Sequence, residues 1–273
     1  MTTRLLRPLL LAVCCTMSAH ADVKTLGANM DTAIVNGSNQ NNSNGGGPLF
    51  FAGTDGNSAI HRGLISFDFS SIPAGSTITN VQLTLTLGQV AGGSTFTTAT
   101  IGLFDVTQSW SAGTVSSVLT TATSTSGAGS GAAANTGDAT WNAAHYSPTA
   151  PALWTVAGGD HATTASTSLF LPSNSVGTAF TWLSTSQLVA DVQGWLNAPA
   201  TNFGWELINA NESASKTIYG FYGSEWHNYV AAGGSASQEP ALQVTFTAPV
   251  PEPAGGLLLG VAAFTLLSLR RRA

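Results

Sequence analysis

Glu206, Glu212 and Glu225 are the residues whose type and spacing come nearest to catalysis in this chain. A glycosidase needs two carboxylates facing each other across the scissile bond, one of them held protonated, and acids on neighbouring strands could supply such a pair. The same three residues also read as outward strand acids or as partners for Arg62 and Lys216. No other catalytic pattern competes: the chain has no Gly-x-Ser-x-Gly elbow, no His-Glu-x-x-His, no P-loop and no EF-hand loop. His61, His145, His161 and His227 are spread too widely to read as a ligand cluster.

Sugar binding asks for flat apolar rings beside hydrogen-bonding groups. Two segments carry both: Trp141-Asn142-Ala-Ala-His145-Tyr146 and Glu225-Trp226-His227-Asn228-Tyr229. Trp141, Tyr146, Trp226 and Tyr229 are therefore candidate ligand contacts, with burial in the core as the alternative for each; Trp195 and Trp205 are assigned to the core. Asp138 follows Gly137 and Asp160 follows Gly158-Gly159, so each could join backbone carbonyls around calcium, or simply hold a turn. No cofactor is required, and Ca2+ is the candidate ion.

These residues have to be positioned by strands. Apolar side chains alternate at Ile65, Phe67 and Phe69, at Val81, Leu83, Leu85 and Leu87, and at Leu242, Val244 and Phe246, which is the pattern of half-buried strands. Further strands are expected over 33–35, 49–52, 100–106, 168–171, 203–208 and 217–222. About nine or ten strands make an all-β sandwich or jelly roll. One segment, 186–197, changes period: Leu188, Val189, Val192, Trp195 and Leu196 form a helical stripe, with Ser184 and Gln187 as a capping box and Pro199 beyond the end. Residues 36–47 and 120–137 are small and polar without period, and read as long loops unable to order themselves by packing.

The chain has 273 residues, 43% hydrophobic and 8% charged, enough for one sizeable core. Between residues 22 and 249 stand 12 acids and only three bases, Lys24, Arg62 and Lys216, a net −9. Such a surface repels phosphate backbones, so nucleic acid is excluded as a partner. An acidic polysaccharide would need bridging divalent cations or a neutral patch.

The ends read as addresses. Residues 1–21 run from Arg4 and Arg7 through an apolar stretch to Ala19-His20-Ala21, a secretory signal with cleavage after Ala21 that removes Cys14 and Cys15. At the other end Val250-Pro251-Glu252-Pro253 precedes 16 apolar or small residues, then Arg270, Arg271 and Arg272. As a helix that apolar run spans roughly 24 Å, enough for a thin membrane at best. The tetrapeptide, short helix and terminal arginines, in that order, resemble the PEP-CTERM sorting signal. The resemblance implies an exosortase-type transpeptidase as partner, cutting near Pro-Glu-Pro, and transient anchoring in the inner membrane by the C-terminal transmembrane helix.

The middle also resembles a known family. Asp31-Thr-Ala-Ile, His61-Arg-Gly-Leu-Ile-Ser-Phe-Asp-Phe-Ser-Ser-Ile-Pro-Ala-Gly, Ala139-Thr-Trp-Asn142, Asn202-Phe-Gly-Trp205 after the helix, and Tyr222-Gly-Ser-Glu225 are similar to a DNRLRE domain, a β-sandwich of carbohydrate-binding-module type on secreted proteins. The expected organisation is a signal over 1–21, one DNRLRE-like domain over 22–249 and a sorting segment over 250–273. The expected function is a non-catalytic exported protein of the cell surface or exopolysaccharide matrix, acting in adhesion or biofilm structure with weak carbohydrate binding. A polysaccharide-degrading or -modifying enzyme is the alternative. A plain surface-layer component is a third reading, and it requires Trp226 and Tyr229 to be buried.

Overall fold

The computed structural model describes residues 20–90, 98–172 and 176–250; the signal stretch before His20, the Pro251-Glu252-Pro253 motif and the apolar run after it lie outside them. In chain order the strands are β1 (Ala21–Val35), β2 (Asn42–Ser43), β3 (Leu49–Thr54), β4 (Ile60–Phe67), β5 (Thr77–Val90), β6 (Ala99–Asp105), β7 (Ala132–Ala133), β8 (Ala143–His145), β9 (Ala152–Leu153), β10 (Thr167–Leu171) and β11 (Ala179–Trp182). Helix α1 (Ser186–Asn197) follows, then β12 (Trp205–Asn209), β13 (Tyr219–Tyr222) and β14 (Ala241–Thr247).

Alternating side chains settle which way each strand faces. Val81, Leu83, Leu85 and Leu87 of β5 are fully buried, as are Ile65 and Phe67 of β4 and Leu242 and Val244 of β14, and all join one core. Two long strands organise the sandwich. The first seven residues of β1 pair with β14; after a bulge between Ala28 and Met30 the rest pairs with β4, so β1 passes from one sheet to the other. β5 pairs with β14 along its first half, and with β11 and β13 further on. The hydrogen-bonded path runs β1-β14-β5-β13-β3-β4-β12-β6-β10.

Helix α1 occupies the range that its apolar stripe predicts and buries Leu188, Val192, Trp195 and Leu196 against the core. Trp195 lies 4.6 Å from Trp205 between ring centroids, and both belong to the core as expected. The cap differs from the expected box. Thr185 Oγ1 accepts the Leu188 N–H at 3.0 Å, while Ser184 Oγ accepts from Val81 N and Gln187 donates to Asp191. Strand β11 has no counterpart in the sequence reading, its four residues being too few to show a period.

The two loops expected to lack packed order are corrected by the structure. β2 from the first pairs with β7 from the second, and Ser43, Asn44 and Ala128 are buried. Small side chains let the backbones approach and hydrogen bond: Ser43 Oγ donates to Ala112 O at 3.1 Å and Asn44 Nδ2 to Leu49 O at 2.7 Å. The segment between β6 and β10 then covers the outer face of the β1–β4–β12–β6 sheet. It brings Trp110, Ala112, Ala139, Ala144 and Trp154 onto Ile34, Leu64 and Val106, a second apolar cluster behind the first. Both indoles are anchored, Trp110 Nε1 donating to Phe203 O at 2.7 Å and Trp154 Nε1 to Thr140 O at 2.9 Å.

Candidate functional site

The outer face of that sheet carries the polar groups of interest. In the β4–β12 ladder Glu206 sits opposite Leu64, so Arg62, two residues earlier on β4, shares the outward face. Glu212 reaches the same place from the turn after β12. Arg62 Nε and Nη2 donate to the two oxygens of Glu212 at 2.7 and 2.8 Å, a bidentate pair, and Nη1 donates to Gly158 O at 2.9 Å. Nη1 also stands 3.8 Å from Glu206 Oε1, and the guanidinium lies 5.3 Å from the centroid of Trp141.

Two glycines let the 155–161 segment lie flat over this assembly. Gly158 and Gly159 have φ of +100° and +108°; a Cβ would fall 2.8 Å from Trp141 Cζ2 at the first and 2.5 Å from Glu206 Oε2 at the second. Asp160 holds the turn, its Oδ2 accepting from Thr155 N at 2.8 Å and its Oδ1 from Val156 N at 3.0 Å. Against partial desolvation, these N–H groups hold the Asp160 carboxyl below the usual carboxylate range. Beneath the glycines Glu206 is fully buried, and its oxygens make no hydrogen bond among the described residues. Burial pushes its carboxyl up to about 8 against the pull of Arg62.

Above the turn lies an open groove of about 640 Å³, lined by Arg62, Thr107, Gln108, Thr155, Asp160 and His161 among others. His161 packs edge-on against Phe104 at 5.2 Å, and its Nδ1 is 2.7 Å from Ala162 O. The groove offers hydroxyl, amide, imidazole and carboxylate groups to a ligand from loops held on a rigid sheet.

Of the sequence candidates, Asp160 lines this groove, and Trp141 lies behind its lining against Arg62 and Gly158. Trp141 is partly buried between Arg62 and Gly158, which leaves it a staple more than a stacking platform. Tyr146 is partly buried, and its backbone N–H donates to Asp138 O. The candidate ligand contacts at Trp226 and Tyr229 are corrected to the buried alternative, the arrangement that the plain surface-layer reading requires: they are 2% and 1% exposed. Trp226 stacks on Tyr222 at 4.1 Å and donates to Gln238, and Tyr229 Oη donates to Gly46 O at 2.7 Å, so neither ring can meet a sugar. Asp138 is buried, with Oδ2 accepting from Asn135 N at 2.9 Å, and stands in a turn as Asp160 does. Among the described residues no three His, Cys, Asp or Glu side chains are grouped to hold a metal.

Of the acids proposed for chemistry, Glu206 and Glu212 converge on Arg62, as the ion-pair reading has it, with Glu206 sealed from solvent. Glu225 belongs to a different cluster. It accepts from Ser224 Oγ at 2.9 Å, and Ser224 N donates to buried Asp31, whose carboxyl burial and the Glu225 charge push up to about 7. Gln108 and His161 were not singled out by the sequence; lone polar residues without spacing carry no signal there. Ala21 opens β1 opposite Thr247, and Val250 is the last described residue, exposed; Pro251, Glu252 and Pro253 lie outside.

Residues 22–141 match carbohydrate-binding module family 96. The match runs from β1 through β6 to Trp141, less than half of the 273-residue chain, and marks a carbohydrate-binding-module-like domain on a sandwich-like fold. Such families are binding modules and not catalytic ones. Among curated proteins none matches the chain. No helix of the described residues is long and apolar enough to cross a membrane.

Proposed function

We propose that this is a non-catalytic exported protein of the cell surface or exopolysaccharide matrix, contributing to adhesion or biofilm structure, and that it holds polysaccharide weakly in the groove beside Arg62. The observation that carries the reading is the family match over residues 22–141. The groove supports it: the match supplies Arg62, Thr107 and Gln108, and the 155–161 turn completes the lining. Hydroxyl-rich chains suit a shallow, polar, solvent-open surface, where hydrogen bonds compete with water and affinity stays modest.

Export rests on the sequence alone, on the signal cut after Ala21 and the sorting segment at 250–273, with an exosortase-type enzyme as processing partner. Tagging the chain upstream of Val250 and following it in cell fractions tests that part. Removing 251–273 is expected to prevent membrane retention and processing.

Binding is tested by retaining the full chain on a panel of soluble and insoluble polysaccharides, with and without calcium. The doubly substituted Gln108→Ala, His161→Ala chain is expected to lose about tenfold in affinity, the scale of one or two groove hydrogen bonds. Retention on no polysaccharide by a folded chain would overturn the proposal, as would sustained release of sugar product.

A further inference from the structure

His61 and Arg62 are neighbours on β4 and their side chains leave opposite faces of the sheet, so the surroundings of His61 are separate from the groove beside Arg62. His61 is 3% exposed, and among the described residues neither of its ring nitrogens has a hydrogen-bond partner. Gln89 Oε1 is buried and equally unpartnered, and both residues line one pocket. Buried polar atoms left in this way are costly unless a partner reaches them, and the pocket is the route by which one can.

Strand pairing builds the pocket. Phe51 of β3, Gly220 of β13 and Gln89 of β5 stand opposite one another in a row across the ladder. The middle position carries no side chain: a Cβ there would fall 2.5 Å from Phe51 Cε1 and 3.2 Å from Gln89 Cβ, so ring and amide stand together over bare backbone. His61 meets the Phe51 ring at 6.0 Å between centroids. On the far side lies the short turn Ala128–Ser130, where a Cβ on Gly129 would stand 3.6 Å from His61 Cε1 and 3.7 Å from Phe51 Cζ. The pocket has a volume of about 190 Å³, room for roughly six groups the size of water.

Acceptors dominate this space. Asp55 Oδ1 is taken by the N–H groups of Asn57 and Ala59, at 2.8 Å each, which leaves Oδ2 facing His61 Nε2 at 3.7 Å, too far for a hydrogen bond. The nearby His61 ring and those N–H groups hold the Asp55 carboxyl below the usual carboxylate range against partial desolvation. In either neutral tautomer the imidazole adds one acceptor and one donor, and Gln89 Oε1 adds a further acceptor. No Lys or Arg is among the described lining residues; Lys216 meets Asp55 through its backbone N–H. Phe51, Val90 and Ile218 supply an apolar wall.

We propose that this pocket binds a small primary ammonium group on a short apolar stem. Such a group brings three N–H donors, no acceptor and one positive charge to a site that presents three acceptors, one of them an ionised carboxylate. With Nδ1 carrying the ring proton, Asp55 Oδ2 and His61 Nε2 are close enough for one nitrogen to bond both. An alcohol brings a single donor and no charge, and a carboxylate is repelled by Asp55. The site goes beyond the carbohydrate-binding reading and does not depend on it.

The test titrates n-butylammonium, 1-butanol and butyrate into the full chain at neutral pH and follows the imidazole resonances of His61, assigned with His61→Gln. The expected result is a saturable shift with butylammonium, at least about tenfold tighter than with butanol, and none with butyrate. Asp55→Asn keeps an acceptor for Asn57 N and Ala59 N and is expected to lose about tenfold in butylammonium affinity. Gly129→Leu places a side chain over His61 and Phe51 and is expected to abolish the shift. Butanol bound as tightly as butylammonium would overturn the role given to charge. No saturable shift with any of the three would show a pocket that holds water only, and would overturn the proposal. Undiminished butylammonium binding in folded Asp55→Asn or Gly129→Leu would do the same, by placing the ligand elsewhere. The wild-type comparison stands if either variant does not fold. Retention on polysaccharide is expected to be unchanged by saturating butylammonium, which keeps this test separate from that of the groove.

Discussion

Glu206 shows how far a single residue's behaviour depends on what covers it. Its carboxyl is raised from 4.5 to about 8, chiefly by burial, so the neutral form is the one that fits the fold. The stability it contributes is complete below pH 4.5 and is lost as pH rises through about 8, because the unfolded chain ionises first. Asp31, raised to about 7, and Asp105, raised to about 6, add slope of the same sign at lower pH. Glu206→Gln is therefore expected to flatten the upper part of the curve and stabilise the chain at pH 9 by about 1–3 kcal/mol, with little change at pH 4. Thermal melts of both proteins across pH check this; a variant less stable than wild type at pH 9 would show that the ionised carboxylate is needed by Arg62. The pairing of these acids with Arg62 was among the readings open to the sequence. That Glu206 is the sealed one was not legible, since it follows from the β4–β12 register and from the pair Gly158-Gly159, nearly fifty residues before Glu206 in the chain. Trp226 and Tyr229 teach the same point: a ring flanked by Glu, His and Asn looks alike in sequence whether it faces water or stacks beneath Tyr222.

Elements with a long, clean period were the most legible. Helix α1 spans the twelve residues that its stripe marks, and β5 buries the alternate residues from Val81 to Leu87 that the pattern selects. Caps and joins were harder, because adjacent Ser184 and Thr185 offer the same chemistry and only the entry angle of the chain chooses between them. Thr185→Ala removes the acceptor for Leu188 N and also a donor to Ser166 O, and should cost about 1–2 kcal/mol in denaturant unfolding, whereas Ser184 caps nothing in the helix. The segments at 36–47 and 120–137 failed as loops for a different reason. Composition reports side chains, and these segments order through backbone pairing, Asn42 with Ala133 and Ser43 with Ala132, that Gly, Ser and Asn permit by being small.

At the scale of the whole molecule, the sandwich carries a second apolar layer that period analysis cannot reveal, since Trp110 and Trp154 come from irregular chain. Trp110 is 5% exposed and anchors the 106–166 excursion on Ile34 and Leu64. Trp110→Ala is expected to cost about 3–5 kcal/mol and to open the excursion to limited proteolysis before the sheets unfold. Cleavage confined to the same sites and rates as wild type would contradict the layered account. The groove sits on this covering layer, and six of its nine lining residues, between Thr155 and His161, lie beyond the matched residues 22–141. The most direct test of the central claim is a glycan array probed with the full chain, followed by calorimetry on the best ligand. Weak, saturable binding to a polysaccharide-derived glycan, lost with Gln108→Ala and His161→Ala while the fold is kept, is the predicted result; a folded chain that binds no glycan on the array would contradict it.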